Sequence, residues 1–329
     1  MDFGESTEHE LLRSAVAAAA SRYGHQYYAT QARAGGRTDE LWREMGRAGF
    51  IGVNIPERYG GGGRGIEELA IVCEELAAQG CPLLLLIVSS AICATVITRF
   101  GSEEQRRRWL PSLADGTAKM AFAITEGDAG SNSHRIATSA VRDGERFTIR
   151  GSKQFISGVD EAEAVLVVAR TGSDDRSGDS RLSLFVVDAD APGLSRALIP
   201  VEMVAPEKQF TLFLDEVEVG ADRLVGDEGD GLRQVFSGLN PERVTGAAIC
   251  TGIGRYALDR ACAYARERVV WDVPIGAHQG IAHPLARAKI HVELARLMTA
   301  KAAWLCDRGT DPRAAGEAAN VAKFAAAEA

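Results

Sequence analysis

The sequence predicts an α+β fold in which a sheet-forming middle lies between two helical regions, and two changes in hydrophobic period carry that prediction. Apolar residues recur at helical spacing up to about Lys119, alternate at every second position through the middle, and return to helical spacing from about Gly231. We therefore expect an N-terminal α-helical domain at 1–120, a central β-barrel or β-sandwich domain at 121–232, and a C-terminal helical bundle at 233–329.

Length and charge place the chain among ordinary globular proteins. It has 329 residues, of which 46% are hydrophobic and 25% charged, enough for two or three packed units. The formal net charge of −8 provides no overall basic surface for nucleic acid or an anionic membrane. Any anionic ligand must therefore be held locally, by individual arginines and by helix N-termini.

The six cysteines and the apolar segments favour a reduced, cytoplasmic protein. No pair of cysteines has CxxC or zinc-like spacing, so we expect buried thiols and neither a disulfide nor a metal site. The N-terminus shows no secretory signal pattern. The apolar run at 82–97 is shorter than the ~20 residues that a membrane-crossing helix needs, so it is expected to be a buried helix.

Five helices are predicted in the N-terminal region. Their spans are 10–28, 39–48, 66–79, 82–99 and 102–110. The second has Leu41, Trp42 and Met45 on one face, and the fifth opens with Ser102 as a cap followed by acidic residues. The glycine run at 60–63 lacks the Lys-Ser/Thr that follows a phosphate-binding loop, so we interpret it as an ordinary loop.

Strands are predicted where the period is two. Asp143-Gly144 stands between two alternating runs in 138–149, a pattern typical of a β-hairpin. Further strands are expected at 165–170, 182–188 and 210–217, and the polar tract 171–180 is expected to be an exposed loop.

Three more helices are predicted towards the end of the chain, at 240–270, from 283 to 308, and from 312 onward. We expect Asn240 to cap the first of them, with Pro241 in its first turn and Glu242 at the positive end of its dipole. An alanine-rich helical pattern still holds at Ala329 without a capping residue, so the C-terminal bundle is expected to be incomplete.

Two segments in the middle of the chain combine strand-forming residues with small ones. Residues 121–132 read Ala-Phe-Ala-Ile-Thr-Glu-Gly-Asp-Ala-Gly-Ser-Asn, and residues 151–158 read Gly-Ser-Lys-Gln-Phe-Ile-Ser-Gly. Aromatic and aliphatic residues favour a strand, while glycine and serine leave backbone amides open to a flat ring or a phosphate. Each segment alone is equally typical of an ordinary β-turn.

Together, in this order and spacing, the two segments resemble the flavin-binding signatures of the acyl-CoA dehydrogenase family. Those signatures run aromatic-x-[Ile/Val]-Thr-Glu-x-x-Ala-Gly-Ser and Lys-x-aromatic-Ile-[Ser/Thr]. Residues 49–63 are similar to part of the family's N-terminal helical domain, and the resemblance covers essentially the whole chain. It implies FAD as the cofactor and a chain that lacks the family's last C-terminal helices.

The chemistry of such a family also requires a cofactor. Dehydrogenating a saturated thioester needs a base for the α-proton and an acceptor for the β-hydride, and no side chain accepts hydride. No strand-borne GxGxxG followed by an acid is present, which argues against a Rossmann nicotinamide site. A flavin therefore matches the two loops better than a nicotinamide.

The resemblance implies a role for each candidate site residue. For FAD it implies Phe122, Ile124, Thr125, Ser131, Phe155, Ile156, Ser157, Arg268, Trp271, His278 and Gln279, with Arg268 reaching the FAD pyrophosphate of a neighbouring subunit. For the substrate it implies Ser131, Asn240 and Arg243. It implies Glu242 as the catalytic base, because isovaleryl-CoA and long-chain members place theirs in a similar Glu-Arg pair. Asp272 replaces the family's glycine, and an acid there weakens the local positive field.

The implied function is FAD-dependent α,β-dehydrogenation of an acyl-CoA, with Glu242 taking the α-proton and flavin N5 the β-hydride. The implied partners are an electron-transfer flavoprotein-like acceptor and further copies of the chain in a homodimer or homotetramer. The residue patterns alone also allow Phe122 and Phe155 as sheet core, and Glu242 as a solvated side chain. Two other functions stay open at this point: a non-catalytic acyl-CoA-binding or scaffold protein, and a flavin-dependent monooxygenase.

Overall fold

The computed structural model describes residues 4–173, 180–309 and 311–329, which group into two compact units. The helical unit comprises residues 1–28, 64–83 and 240–329, and the sheet unit comprises residues 29–63 and 84–239.

The helices are α1 (Thr7–Ala20), α2 (Gly24–Arg33), α3 (Asp39–Arg47), α4 (Ile66–Ala78), a π-helix (Leu86–Ala94), α5 (Thr95–Phe100), α6 (Glu103–Ala114), α7 (Gly231–Glu267), α8 (Gln279–Arg308) and α9 (Pro312–Glu328). The strands are β1 (Met120–Ala123), β2 (Ser139–Asp143), β3 (Arg146–Ser157), β4 (Ala164–Ser173), β5 (Ser180–Asp188), β6 (Leu194–Ile199), β7 (Gln209–Gly220), β8 (Leu224–Val225), β9 (Val269–Val270) and β10 (Val273–Pro274). In these described ranges, no helix has the length and apolar character needed to span a bilayer.

One eight-stranded sheet organises the sheet unit. Its strand order is β6-β7-β3-β2-β4-β5-β8, and β1 pairs with β4 in parallel. The predicted hairpin is confirmed, since β2 and β3 pair antiparallel and Gly144 takes a φ of 58° in the turn between them. The three other predicted strands are β4, β5 and β7. Most of the predicted loop at 171–180, namely 174–179, lies outside the described residues.

The sheet curls over its own hydrophobic core. In a flat sheet of this order, three strand spacings would separate β3 from β5 by roughly 14 Å. The ring centroids of Phe147 in β3 and Phe185 in β5 are nevertheless 4.8 Å apart. The opposite face of the central strands, including Leu166 and Leu184, packs on Trp109 and Leu110 of α6. This arrangement is in keeping with the predicted barrel or sandwich between helices.

Two of the predicted helices are interrupted. The span 10–28 is broken between α1 and α2, and Gly24, the first residue of α2, takes a φ of 68°. The span 82–99 forms the π-helix followed by α5, a rare wide helix that tends to occur near functional sites. The predicted cap at Ser102 is confirmed, because its Oγ accepts from the backbone N–H of Gln105 at 3.1 Å.

The predicted helix start at Asn240 is wrong. Helix α7 begins at Gly231, and Asn240, Pro241 and Glu242 lie in its interior. Pro241 has no backbone N–H, so the carbonyl of Ser237 loses its usual helical partner, but the helix continues on both sides. Glu242 therefore does not lie at a helix N-terminus, and the dipole does not favour its ionised form.

A side chain of α8 caps helix α4 in the helical unit. The carboxylate of Asp307 accepts from the backbone N–H of Ile66 at 2.7 Å and from that of Glu67 at 2.8 Å. These are two of the four N–H groups that a helix start leaves without helical partners. Gly65, the residue before α4, has no side chain that could serve them.

Replacing Asp307 by Ala is expected to lower the free energy of unfolding by about 0.5–2 kcal/mol, the usual cost of losing a helix cap. Urea denaturation of the full chain measures it. Asp307→Asn is the matched control, because its amide oxygen can still accept one of the two hydrogen bonds and should retain part of the stability. Equal losses in the two variants would contradict the capping role.

Glu207 is a buried carboxylate in the sheet unit. It is 3% exposed, its Oε1 accepts from the backbone N–H of Leu84 at 3.0 Å, and its Oε2 is buried with no partner among the described residues. Burial raises the pKa of Glu207 to about 7, and the nearby charge of Glu161 adds to the rise. The folded protein therefore prefers Glu207 protonated.

Glu207 is expected to make the protein less stable as pH rises from about 4.5 to about 7. A group whose pKa is raised on folding contributes stability below its unfolded pKa and loses it as pH passes its folded pKa. This shift in the pKa of Glu207 corresponds to a loss of about 3 kcal/mol in the free energy of unfolding. Glu207→Gln should gain stability relative to the natural chain between pH 5 and pH 8, measured by urea denaturation, whereas Glu202→Gln at an exposed neighbour should not.

Candidate active site

The structure brings the two predicted flavin loops together in the sheet unit. The backbone N–H of Gln154 donates to the carbonyl oxygen of Thr125 at 2.8 Å. Lys153 Nζ donates to the neighbouring carbonyl oxygen, that of Ile124, at 3.1 Å. The residues after β1 and those at the end of β3 are thus hydrogen-bonded to each other, and we call these two joined segments of the sheet unit the rim.

A buried ion pair that the sequence analysis missed joins this rim. Lys153 is 0% exposed, and its Nζ donates to Glu126 Oε1 at 2.8 Å. The Glu126 carboxylate also accepts from the backbone N–H groups of Ala137 at 2.7 Å and Thr138 at 3.0 Å. One indication of this pair was present in the sequence, since Glu126 lies in the first of the two motifs and Lys153 in the second.

The pKa values of the pair reflect burial and hydrogen bonding. Burial alone would raise the pKa of Glu126, but the hydrogen bond and charge of Lys153, together with the two backbone amides, lower it. Burial lowers the pKa of Lys153 to about 8, although the carboxylate of Glu126 acts in the opposite direction. The ammonium and the carboxylate thus each favour the charged form of the other, against the effect of burial.

Phe155 is turned out of the sheet by a β-bulge. The pairing of β3 with β7 shifts register between Lys153 and Ile156, and Phe155 takes a left-handed φ of 57°. Its side chain is 61% exposed, while Ile156 is buried in the core. Such a backbone conformation costs about 1–3 kcal/mol, so neighbouring contacts must hold it. The alternative that Phe155 is sheet core is wrong.

The remaining predicted loop residues differ in exposure. Phe122 and Ile124 are half-buried and pack against the core of the sheet unit. Ser131 is exposed in the loop after β1. Ser157 is half-buried, and its Oγ accepts from Gln209 Nε2 at 2.9 Å. Gln209 was also missed, because its partnership with Ser157 arises from the register of β3 and β7.

Glu242 lies in the interior of α7, in the helical unit. It is half-buried, and burial raises its pKa above the ordinary value of 4.5. The positive charges of Arg243 and of Lys323 on α9 oppose that rise. The carboxylate is therefore desolvated but balanced by nearby cations.

Asn240 and Arg243 are neighbours on α7. Arg243 Nη1 donates to Asn240 Oδ1 at 3.0 Å, a pair three residues apart on one helix face. The amide oxygen of Asn240 thus binds a guanidinium and does not cap a helix start. The two predicted substrate residues lie together, adjacent in sequence to the candidate base.

The segment after α7 forms a tight hairpin. Strands β9 and β10 pair antiparallel through a two-residue turn, in which Trp271 and Asp272 take φ values of 52° and 66°. Aspartate tolerates a left-handed backbone better than most residues, so Asp272 can occupy the position where the family has glycine. Trp271 is 84% exposed, and its ring lies 5.9 Å from that of His278. Arg268 and Gln279, at the ends of the same segment, are both exposed.

Comparison with known proteins identifies the family. Models of three domains match the chain: "Acyl-CoA dehydrogenase, N-terminal domain" at residues 6–117, the middle domain at 121–212, and the C-terminal domain at 229–329. Acyl-CoA dehydrogenase FadE12 of Mycobacterium tuberculosis is 57% identical over 327 residues, which cover 99% of this chain and 84% of the relative. The chain belongs to the acyl-CoA dehydrogenase family. The resemblance predicted from the two loops is confirmed.

Solved structures of acyl-CoA dehydrogenase relatives have the same fold. The glutaryl-coenzyme A dehydrogenase–glutaryl-CoA complex superposes with a TM-score of 0.91 at 32% identity, covering 100% of this chain and 85% of the relative. A chain solved in work on the electron transferring flavoprotein of Acidaminococcus fermentans gives a TM-score of 0.92 at 30% identity, covering 100% and 86%. The predicted fold class is confirmed, and the protein is a flavoprotein oxidoreductase.

FAD is the cofactor of this acyl-CoA dehydrogenase, and the residues present fit it. The exposed ring of Phe155 provides a flat apolar surface on the rim of the sheet unit. Gly127 and Gly130 are exposed in the loop after β1, and a Cβ on Gly130 would meet nothing within 4 Å. In the helical unit, His278 Nε2 is buried without a hydrogen-bond partner among the described residues, so it can serve a polar ligand atom.

Proposed function

We propose that this acyl-CoA dehydrogenase carries out α,β-dehydrogenation of an acyl-CoA thioester, with Glu242 as the base that takes the α-proton. The observation that supports this best is that Glu242 is half-buried inside α7 with its pKa raised by burial. A carboxylate with a raised pKa binds a proton more tightly, as the base for a weakly acidic C–H bond must. Its place in a Glu-Arg pair agrees with the family arrangement that the sequence indicates.

The charges around Glu242 suit this role. The cations Arg243 and Lys323 limit the rise in its pKa, so the carboxylate can be ionised before the substrate binds. An acyl chain bound over the carboxylate would remove water from it and raise the pKa further. Glu242 would then be a stronger base in the complex than in the free protein.

The cofactor and substrate residues follow from the same proposal. When bound, FAD supplies the hydride acceptor that no side chain can provide. Residues of the sheet unit that would hold it are Phe122, Ile124, Thr125, Ser131, Phe155, Ile156 and Ser157. Arg268, Trp271, His278 and Gln279 would contact the FAD of a neighbouring subunit, with Arg268 at its pyrophosphate. Arg243, Asn240 and Ser131 would hold the CoA portion, where a guanidinium suits phosphate or carbonyl oxygens.

The wider setting of the reaction is part of the proposal. We place the enzyme in the cytoplasm, as a homodimer or homotetramer with domains at 1–120, 121–232 and 233–329. Electrons would leave through an electron-transfer flavoprotein-like acceptor. The relative solved in work on the electron transferring flavoprotein of Acidaminococcus fermentans supports that choice of acceptor.

Anaerobic bleaching of the flavin tests the proposed function. The full chain loaded with FAD is mixed without oxygen with short, branched, long and steroid-side-chain CoA esters, and flavin absorbance is followed. Loss of the oxidised-flavin band with at least one ester, together with a 2,3-enoyl-CoA product, is expected. A protein that binds acyl-CoA without bleaching would instead be a scaffold, and rapid reaction of reduced flavin with oxygen to give hydroxylated product would indicate a monooxygenase.

A further inference from the structure

The Glu126–Lys153 pair links three separate segments of the sheet unit. Lys153 Nζ contacts Glu126 and the carbonyl oxygen of Ile124, so it ties β3 to the residues after β1. The Glu126 carboxylate also accepts hydrogen bonds from the backbone N–H groups of Ala137 and Thr138. These bonds tie the residues after β1 to the residues before β2. A single buried ion pair thus sets the spacing of the two loops.

The pair is also placed to hold the strained conformation of Phe155. In a regular strand, residues two apart point to the same side, so Lys153 and Phe155 would share one face. Here Lys153 is fully buried and Phe155 is 61% exposed, because the left-handed backbone at Phe155 reverses its direction. Ile156 fixes the far side of the bulge in the core, and Lys153 fixes the near side.

An ammonium with 0% exposure is costly for a protein to keep, and an apolar side chain of similar length would fill the same space. What an apolar side chain cannot do is donate to two oxygens at once, at Ile124 and Glu126. A charged lysine at this position is therefore explained by its hydrogen bonds, which hold the two loops in place relative to each other.

We propose that Glu126 and Lys153 are positioning residues, which hold the Phe155 bulge and the Ile124–Thr125 backbone at the fixed spacing needed to grip the isoalloxazine ring of FAD. This inference rests on the proposed function, in which those loops contact FAD. Neither side chain needs to touch the cofactor, since both act through the loops that they join.

The test compares three variants of the full chain: Lys153→Met, Glu126→Gln, and the double variant Glu126→Gln/Lys153→Met. The double variant contains no unpaired buried charge, so it keeps the test open where a single substitution prevents folding. The double variant Lys119→Met/Glu161→Gln is the matched control, because Lys119 and Glu161 form a buried ion pair of the same unit that lies outside the two loops.

The readouts are the FAD dissociation constant of the apoprotein, the visible circular dichroism of bound flavin and its reduction potential. The Glu126/Lys153 double variant is expected to bind FAD roughly 10-fold or more weakly, with an altered dichroism band and potential, while its thermal midpoint stays near that of the Lys119/Glu161 control. Unchanged affinity, dichroism and potential in the Glu126/Lys153 double variant would overturn the inference. Failure of the natural chain itself to bind FAD would instead overturn the proposed placement of FAD.

Discussion

Replacing Glu242 by Gln is expected to slow reduction of the flavin by acyl-CoA by about 10²–10⁴-fold, the usual contribution of a general base. Glutamine has nearly the same shape but cannot accept the α-proton, so the C–H bond must break without a base. FAD binding and acyl-CoA binding should change by much less, because the substitution removes no side chain volume. Stopped-flow absorbance under anaerobic conditions measures the reduction rate, and spectral titration measures the two affinities.

The pH profile of the same reaction provides a second readout. Burial raises the pKa of Glu242 above 4.5, so the protonated, inactive form should persist to a higher pH than for an ordinary glutamate. The reduction rate is therefore expected to increase as pH rises through that raised pKa. The Gln variant should lack this limb of the profile, because its amide does not titrate.

Glu267→Gln is the matched control for both measurements. Glu267 is the last residue of the same helix, α7, and its side chain is exposed. The same chemical change at that position should leave the reduction rate and its pH profile unchanged. An undiminished rate in Glu242→Gln, or equal losses in the two variants, would show that the base is another residue.

The features that sequence could predict are those set by local chemistry. The Asp143-Gly144 turn has its own backbone preference, and the β2–β3 hairpin forms around it. The two flavin loops were found because each combines strand formers with small residues over fewer than 13 positions. The helix start at Asn240 was predicted from equally local signals. In the folded chain the helix already begins at Gly231, because tertiary contacts can override such local preferences.

The features that sequence could not predict depend on residues far apart in the chain. Asp307 caps a helix whose first residue lies 241 positions earlier, so no local pattern reveals it. The partnership of Lys153 with Glu126 depends on how β3 approaches the residues after β1. The exposure of Phe155 depends on a register shift between β3 and β7, which the alternation of residues in one strand cannot show.

Replacing Glu75 by Ala is expected to lower the free energy of unfolding by about 3–5 kcal/mol, because it removes a buried carboxylate that pairs with two guanidinium groups. Glu75 is 3% exposed, and its Oε1 accepts from Arg13 Nη1 and from Arg255 Nη1, each at 2.6 Å. The neighbouring Glu74 contacts the same two arginines and is 4% exposed. Glu74 of α4 would then be the one remaining carboxylate shared by Arg13 of α1 and Arg255 of α7.

The network around Glu75 extends the consequence to α8. Arg296 of α8 contacts Glu5 at 2.7 Å and Glu74 at 3.5 Å, and Glu5 also accepts from Arg13. Loss of the Glu75 charge should therefore loosen the attachment of α1 and of α8 to α4 together. Hydrogen exchange is expected to rise in all three helices and to stay unchanged in the strands of the sheet unit.

An exposed ion pair of the same unit separates the effect of burial from that of losing a charge. Glu293 of α8 contacts Lys289 at 2.5 Å, but their side chains are 42% and 60% exposed, so Glu293→Ala should cost no more than about 1 kcal/mol. Urea denaturation of both variants, followed by the helical circular dichroism signal, gives the comparison. The two carboxylates differ chiefly in access to water, so similar losses would mean that the buried network contributes little. A much larger loss for Glu75 would show that α4 is held to its neighbours by charges that water cannot replace.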